Sequence, residues 1–388
     1  MNWIISELFH PDEVSTAQIM TDIAMHKVID EQVSVICGPN GYENSYTSQK
    51  KLDERIKIYR IELPKLNKNK LFQRVFRLLL LSIKMSWVIL VKIKKSDSVF
   101  LTTNPTFLII SASIIKKIKC FNLEILVHDV FPENLVPAGL IKKDSFKFRL
   151  LGKIYNSSYR KADRIIVLGE DMKELIKHKI EPKTVRIDVI PNWYDDDICP
   201  MHGFNISEYL GIDVKDKVII GFAGNLGRVQ GILEFVDLVR RSENKNIALV
   251  IIGDGALKSA LTDKIENLQN VYYLGPKGRR EQNSFLNACQ IGLVTLINGM
   301  KGLGVPSKTY NLMAAEKPLL YIGDQYSEID NYVRNFDCGW SFAWENEVEI
   351  LSFLKNLSLE ALPVIFEKGL NSRIASENFK KVIVLNLF

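Results

Sequence analysis

The chain has 388 residues, 47% hydrophobic and 25% charged, with a formal net charge of +6. That balance excludes a disordered polymer, and the length exceeds what one hydrophobic core usually organises, so two domains are expected. The five cysteines, Cys37, Cys120, Cys199, Cys289 and Cys338, are scattered and form no C-x-x-C, which argues against zinc or disulfide frameworks and for a reducing compartment.

Met1–Glu7 lacks a basic flank and a long apolar run, so it reads as a first strand rather than a signal peptide. Thr16–Val28 follows as a helix with Ile19, Met20, Ile23 and Val28 on one face, behind a Ser15 or Thr16 cap. Further strands are expected at Val33–Cys37, Ile56–Ile61, Ser98–Leu101, Glu124–Val127, Arg164–Leu168 and Val185–Ile190, with a helix over Asp171–His178. Between Leu66 and Ser96 stand eight Lys or Arg and no Asp or Glu. The apolar run within that segment, Leu78–Val91, is interrupted by Lys84 and falls short of the ~20 residues that span a bilayer.

After a polar stretch, Tyr194–Lys217, the alternation restarts with strands at Val218–Ala223, Ile247–Ile252, Val271–Leu274, Ile291–Leu296 and Leu319–Ile322. The first helix of this half carries Ile232, Phe235, Val236 and Val239 on its core face. Strands alternating with helices mean βαβ units and parallel sheets. The fold class is therefore α/β with two Rossmann-like, doubly wound domains, over 1–197 and 198–368, and a C-terminal helix over 369–388 that can return to the first domain. Such domains present loops at the carboxyl ends of their strands, where ligands bind.

Two glycine-anchored loops stand at helix starts in the second half: Gly224-Asn225-Leu226-Gly227-Arg228-Val229-Gln230-Gly231 and Gly302-Leu303-Gly304-Val305-Pro306-Ser307-Lys308-Thr309. Free N–H groups at a helix start attract anions, and glycine lets a phosphate approach closely. Arg228 and Gln230 add donors. Lys308 in a helix first turn opposes the helix dipole, which is easier to explain if an anion lies between them. In the first half, His128 and Asp129 stand at the carboxyl end of a strand, either as ligand-binding groups or as a structural His and a capping Asp. Ser15 and Thr16 suit a phosphate or a helix cap. Asp195-Asp196-Asp197 lies in the linker and reads as a solvated turn. His10, His26, His178 and His202 show no metal spacing.

The segments Gly224–Gly231, Pro306–Pro318, Ile190-Pro191-Asn192-Trp193 and Gly253-Asp254-Gly255 resemble family 4 glycosyltransferases. The likeness is nearest to bacterial surface-polysaccharide enzymes with a Gly-Asn-x-Gly-x-x-Gln-Gly loop and a Pro-Ser-Lys-Thr-Tyr segment. It implies a GT-B fold, two domains facing a central cleft, and retaining transfer from a nucleotide sugar without a metal or other cofactor. By that resemblance Gly224, Asn225 and Gly227 underlie the donor diphosphate, and Lys308 reaches its phosphates with Ser307 and Thr309 alongside. Gly253 and Asp254 lie near the base, and Asn311 stands where many members grip the ribose with a glutamate. His128 and Asp129 flank the donor sugar. The chain departs from the common pattern at Asn225, Gln230 and Asn311, where relatives carry Arg, Lys and Glu. Asn311 and Ser327-Glu328 are expected to select the sugar.

The implied partners are a UDP- or GDP-sugar donor and a polyprenyl-diphosphate-linked saccharide acceptor, with UDP favoured. The product belongs to O-antigen, capsule or exopolysaccharide synthesis. The basic stretch Lys68–Lys95, with Trp87 in its apolar middle, suits an anionic membrane surface, or a core helix with snorkelling lysines. That places the chain in the cytoplasm, peripherally on the membrane's inner face. High apolar content without a recognition motif argues against nucleic acid. Two rival readings are a UDP-sugar 2-epimerase of the same fold and a non-catalytic nucleotide-sugar-binding scaffold.

Overall fold

The computed structural model describes residues 1–29, 31–41, 51–64, 71–201, 204 and 206–387; the side chains of 71 and 381–387 are left undescribed. Lys68, Lys70 and His202 lie outside the described residues. The chain divides into two compact units. The first comprises Met1–Pro191 with Gly302–Gly304 and the chain from Ile383; the second comprises Asn192–Lys301 and Val305–Val382.

In chain order the first unit contains β1 (Asn2–Ser6), α1 (Ser15–Lys27), β2 (Val33–Cys37), β3 (Ile56–Arg60), α2 (Leu71–Lys92) and β4 (Ser98–Thr102). There follow α3 (Leu108–Lys119), β5 (Asn122–Val127), α4 (Phe146–Tyr159), β6 (Arg164–Val167), α5 (Glu170–Ile180) and β7 (Arg186–Val189). The strands form one parallel sheet in the order β3-β2-β1-β4-β5-β6-β7. Val33–Cys37 is buried along its whole length, Ser34 included, as a strand in a sheet covered on both faces should be. The chain steps one way from β1 to β3 and the other way from β3 to β7. Right-handed crossovers then place α1 on one face and α2, α3, α4 and α5 side by side on the other. Hydroxyl pairs join this layer: Ser86 of α2 donates to Ser111 of α3 at 2.6 Å, and Ser113 of α3 donates to Ser158 of α4 at 3.3 Å.

The second unit contains α6 (Ile206–Leu210), β8 (Val218–Ala223), α7 (Ile232–Ser242), β9 (Ile247–Ile252), α8 (Lys258–Ile265), β10 (Val271–Tyr273) and α9 (Gln282–Asn287). It continues through β11 (Ile291–Thr295), α10 (Lys308–Ala314), β12 (Leu319–Ile322), α11 (Glu328–Phe336), β13 (Gly339–Phe342), α12 (Glu347–Asn356) and α13 (Leu362–Leu387). Its parallel sheet runs β10-β9-β8-β11-β12-β13. Ile232, Phe235, Val236 and Val239 of α7 are all fully buried in its core, each contributing about 1.5–3 kcal/mol by leaving water. In each sheet the strand order reverses once, between β1 and β4 and between β8 and β11.

The structure departs from the sequence expectations at several elements and boundaries. β13 was not anticipated; it extends the second sheet by pairing Leu320 with Trp340. Val14, in extended backbone, caps α1 without a side-chain bond, so Ser15 opens the helix and neither Ser15 nor Thr16 caps it. The unit division falls at Pro191/Asn192 rather than after Asp197, because Asp195 is bound by Asn311 and Arg279 of the second unit. The last helix starts at Leu362, ahead of the expected 369, with Pro363 in its first turn where a missing N–H costs nothing.

Candidate functional site

The strand-order reversal in the second unit lies between β8 and β11, and the loops leaving these strands carry the donor candidates. The β8 loop is strapped to the β9 loop. Leu226 N–H donates to Asp254 O at 2.9 Å, and Leu257 N–H donates to Leu226 O at 3.0 Å. The two loops approach so closely that Gly253 has no alternative: at φ +149°, a Cβ there would stand 1.8 Å from Gly224 O. Tyr273 clamps the same turn by donating to Gly253 O at 2.8 Å. Gly224, Asn225, Arg228 and Asp254 are exposed, while Gly227 and Gln230 are half-buried. The Asn225 side chain nestles against Gly227 and Gly255.

Lys308, the first residue of α10, lies across this platform. Its aliphatic stem passes Gly224, and its Nζ sits 3.5 Å from the centroid of the Phe222 ring. Nζ donates to Gln230 Oε1 at 3.4 Å. Gln230 is fixed in turn, its carbonyl accepting from the Thr295 hydroxyl. No carboxylate lies within ion-pair distance of Lys308 among the described residues. A neutral amide and an aromatic face compensate an ammonium only in part. Loss of hydration therefore pulls its pKa down to about 7. The side chain is half-buried by surface area, so water opposes that fall; the downward direction follows from the missing anionic partner. Gly224, Asn225, Gly227, Gln230, Gly253, Asp254 and Lys308 thus form one cluster that can carry negative charge.

Other candidates have different roles. Asn311 is buried, and both ends of its amide go to Asp195: Nδ2 donates to Oδ2 at 2.8 Å, and Oδ1 accepts Asp195 N–H at 2.9 Å. Arg279 reaches the same carboxylate at 2.5 Å. Asp195 is therefore a structural clamp, not part of a solvated turn, and Asn311 is occupied rather than presented to a ribose. Asp196 is exposed and pairs with Lys380. Thr309 is fully buried with its hydroxyl unpartnered among the described residues, so its side chain offers no surface to a ligand. Ser307 occupies the N-cap of α10 without a side-chain bond. Ser327 is buried at the N-cap of α11 and donates to the Tyr321 hydroxyl at 2.9 Å, leaving it a capping role.

In the first unit, His128 and Asp129 follow β5. Both backbone N–H groups donate to Thr103 Oγ1, at 3.2 and 3.3 Å, which fixes the turn. His128 Nε2 is buried and has no hydrogen-bond partner among the described residues; burial pulls the imidazole down to about 4, so it is neutral. Surrounding protein pushes the Asp129 carboxyl up to about 6, although its exposed surface lets water moderate the rise. Gly302–Gly304 belongs to this unit. Gly302 N–H donates to Asp171 Oδ2 at 3.0 Å, and Val130 N–H donates to Leu303 O at 3.0 Å. A Cβ at Gly304 would lie 3.0 Å from His128 O. These glycines permit close backbone approach beside Asp171 and His128. Ser15 and Thr16 are half-buried at the start of α1 and β4 lies beside β1, with Glu7 N–H donating to Asn104 O at 3.0 Å across the reversal.

Sequence reasoning missed Phe222, Arg279, Thr103 and Asp171, and it assigned Asp195 to a solvated turn. Phe222 reads as core within an apolar strand, and the others act through partners remote in the chain. No signal in the sequence marks them before the fold is known.

The description "Glycosyl transferases group 1" matches residues 217–357. The Pseudomonas aeruginosa protein named "Probable glycosyltransferase WbjE" is 34% identical over 343 residues, covering 84% of this chain and 82% of its own. Among solved structures, Anabaena Alr3699/HepE in complex with UDP and glucose superposes with a TM-score of 0.69 at 14% identity, covering 100% of this chain and 97% of its own. WaaG, a glycosyltransferase involved in lipopolysaccharide biosynthesis, superposes with a TM-score of 0.65 at 12% identity, covering 100% of both chains. The architecture is that of GT-B enzymes, with two Rossmann-like parallel-sheet domains. With sequence likeness across most of both chains, this protein belongs to the group 1 glycosyltransferase family.

Proposed function

We propose that the protein transfers a hexosyl or N-acetylhexosaminyl unit from a nucleoside-diphosphate sugar to a lipid-linked saccharide, with retention at the anomeric carbon, during synthesis of a bacterial surface polysaccharide. The observation that carries this reading is Lys308: an ammonium above Phe222, beside the Gly224 loop, with no carboxylate partner among the described residues. Fixed positive charge is most effective where negative charge develops, as on a departing diphosphate. UDP is favoured over GDP because HepE, which shares the fold, has been solved with UDP and with UDP and glucose. The names of WbjE and WaaG support a polysaccharide role.

In the proposed step an acceptor hydroxyl attacks the anomeric carbon while the bond from that carbon to the diphosphate oxygen breaks. The departing phosphate oxygen takes the hydroxyl proton, so no side-chain base is required. Lys308, Arg228 and the loop N–H groups hold the diphosphate, and the reading assigns no metal. His128, neutral at Nε2, and Asp129 bind sugar hydroxyls. Ser15 and Thr16 face the acceptor phosphate. The test incubates the full chain with UDP- or GDP-sugars and a polyprenyl-diphosphate saccharide. The expected product is an acceptor heavier by one sugar with its anomeric configuration retained. Epimerised donor without acceptor, or donor binding without turnover, would overturn the proposal.

A further inference from the structure

α2, α3 and α4 together carry ten Lys or Arg and no Asp or Glu, whereas the neighbouring α5 carries three acidic residues, Glu170, Asp171 and Glu174. Arg77 and Lys116 pair with Glu7 and Asp163. Arg74, Lys84, Lys92, Lys117, Lys147 and Arg149 are exposed. The same three helices expose large apolar side chains. On α2, Phe72, Phe76, Leu79, Ile83 and Trp87 recur every three or four residues, so they share one helical face, with Phe72 82% and Trp87 67% exposed. The opposite face, through Leu81, Met85 and Ile89, is fully buried, so the outward stripe is not the helix's core side. On α3 Ile118 is 71% exposed, and on α4 Phe146 is 76% exposed with Leu150 near it in sequence. The Ser86–Ser111 and Ser113–Ser158 bonds hold the three helices in one layer.

We propose that the outer face of the α2–α3–α4 layer is a docking surface for an anionic lipid bilayer, with apolar side chains from all three helices entering the headgroup region. Charge decides the occupant. Apolar residues interleaved with cations and free of acids match a negatively charged interface. A second copy docked through the same face would oppose two basic surfaces. The earlier single-helix reading becomes a surface three helices wide, and it stands independently of the transfer reaction because the helices contribute none of the site residues.

The test is co-sedimentation of the full chain with vesicles of phosphatidylcholine alone and of equal parts phosphatidylcholine and phosphatidylglycerol, at low and high salt. Binding should require phosphatidylglycerol and weaken with salt as exposed charges are screened. Lys117→Gln and Lys147→Gln should each weaken it about fivefold. Trp87→Ser, Ile118→Ser and Phe146→Ser should each weaken it without altering thermal stability, since these side chains are exposed. Equal binding to phosphatidylcholine, or none to either vesicle, would overturn the proposal. Sensitivity confined to the α2 variant would overturn the three-helix face. A concentration-dependent dimer broken by the same variants would assign the surface to a second copy and overturn the lipid proposal.

Discussion

Lys308 is tuned by what is missing around it. An ordinary ammonium has a pKa of 10.5, whereas here it is about 7. Between those values the unfolded chain binds more protons at this residue than the folded one, so its contribution makes stability rise with pH across the window and fall to a constant deficit below about 7. Lys308→Met should therefore leave the melting temperature unchanged or raise it, while lowering transfer about 100- to 1000-fold, the scale for losing one charge-stabilising donor. Calorimetry and a transfer assay on the same preparation check both. A bound diphosphate restores the ammonium's partner and raises its pKa. Nucleotide-sugar affinity should be flat below pH 7 and decline above it, with proton uptake on binding near neutrality. Titration calorimetry in buffers of different ionisation enthalpy reads that uptake; none would remove Lys308 from the diphosphate site.

At the scale of elements, loop contacts determine whether the site exists. A Cβ at Gly253 would collide with Gly224 O at 1.8 Å, so Gly253→Ala must part the β8 and β9 loops. It should cost about 2 kcal/mol or more and weaken donor binding, as denaturant unfolding and nucleotide titration would show. Asn311→Ala should cost about 1–3 kcal/mol because it removes both amide contacts to Asp195 and unsettles the start of the second unit. The sequence displays the elements themselves well. β8, β9 and β12 are continuous apolar runs with clear ends, β2 is interrupted only by Ser34, and the read limits of all four coincide with the observed ones. β13 escaped notice because Gly-Trp-Ser-Phe is short and begins with a poor strand former. Within the site, Lys308 was legible because its charge is misplaced for a helix start. The Asp195–Asn311 clamp was not, since its partners are 116 residues apart and two polar side chains give no hint that they will meet.

For the whole molecule, two similar sheets divide the candidate chemistry: the Gly224 loop, the Gly253 turn and Lys308 belong to the second unit, and His128, Asp129, Ser15 and Thr16 to the first. The cores are separate, so nucleotide alone should stabilise the second unit first. At a hundredfold excess over its dissociation constant it should add about 2.7 kcal/mol there. Hydrogen exchange resolved by peptide should show protection in the β8, β9 and α10 loops upon adding UDP, with α2, α3 and α4 unchanged. Protection centred on α1 instead would move the donor site to the first unit.

An amine that is about half unprotonated at neutrality is a better nucleophile than its fully charged counterparts on the surface. Mild acylation or reductive methylation at neutral pH should consequently mark Lys308 ahead of lysines with ordinary basicity, and bound nucleotide should shield it. The lack of an anionic partner among the described residues suits this residue to a leaving anion and also makes it a chemical handle, by which occupancy can be followed before any acceptor has been identified.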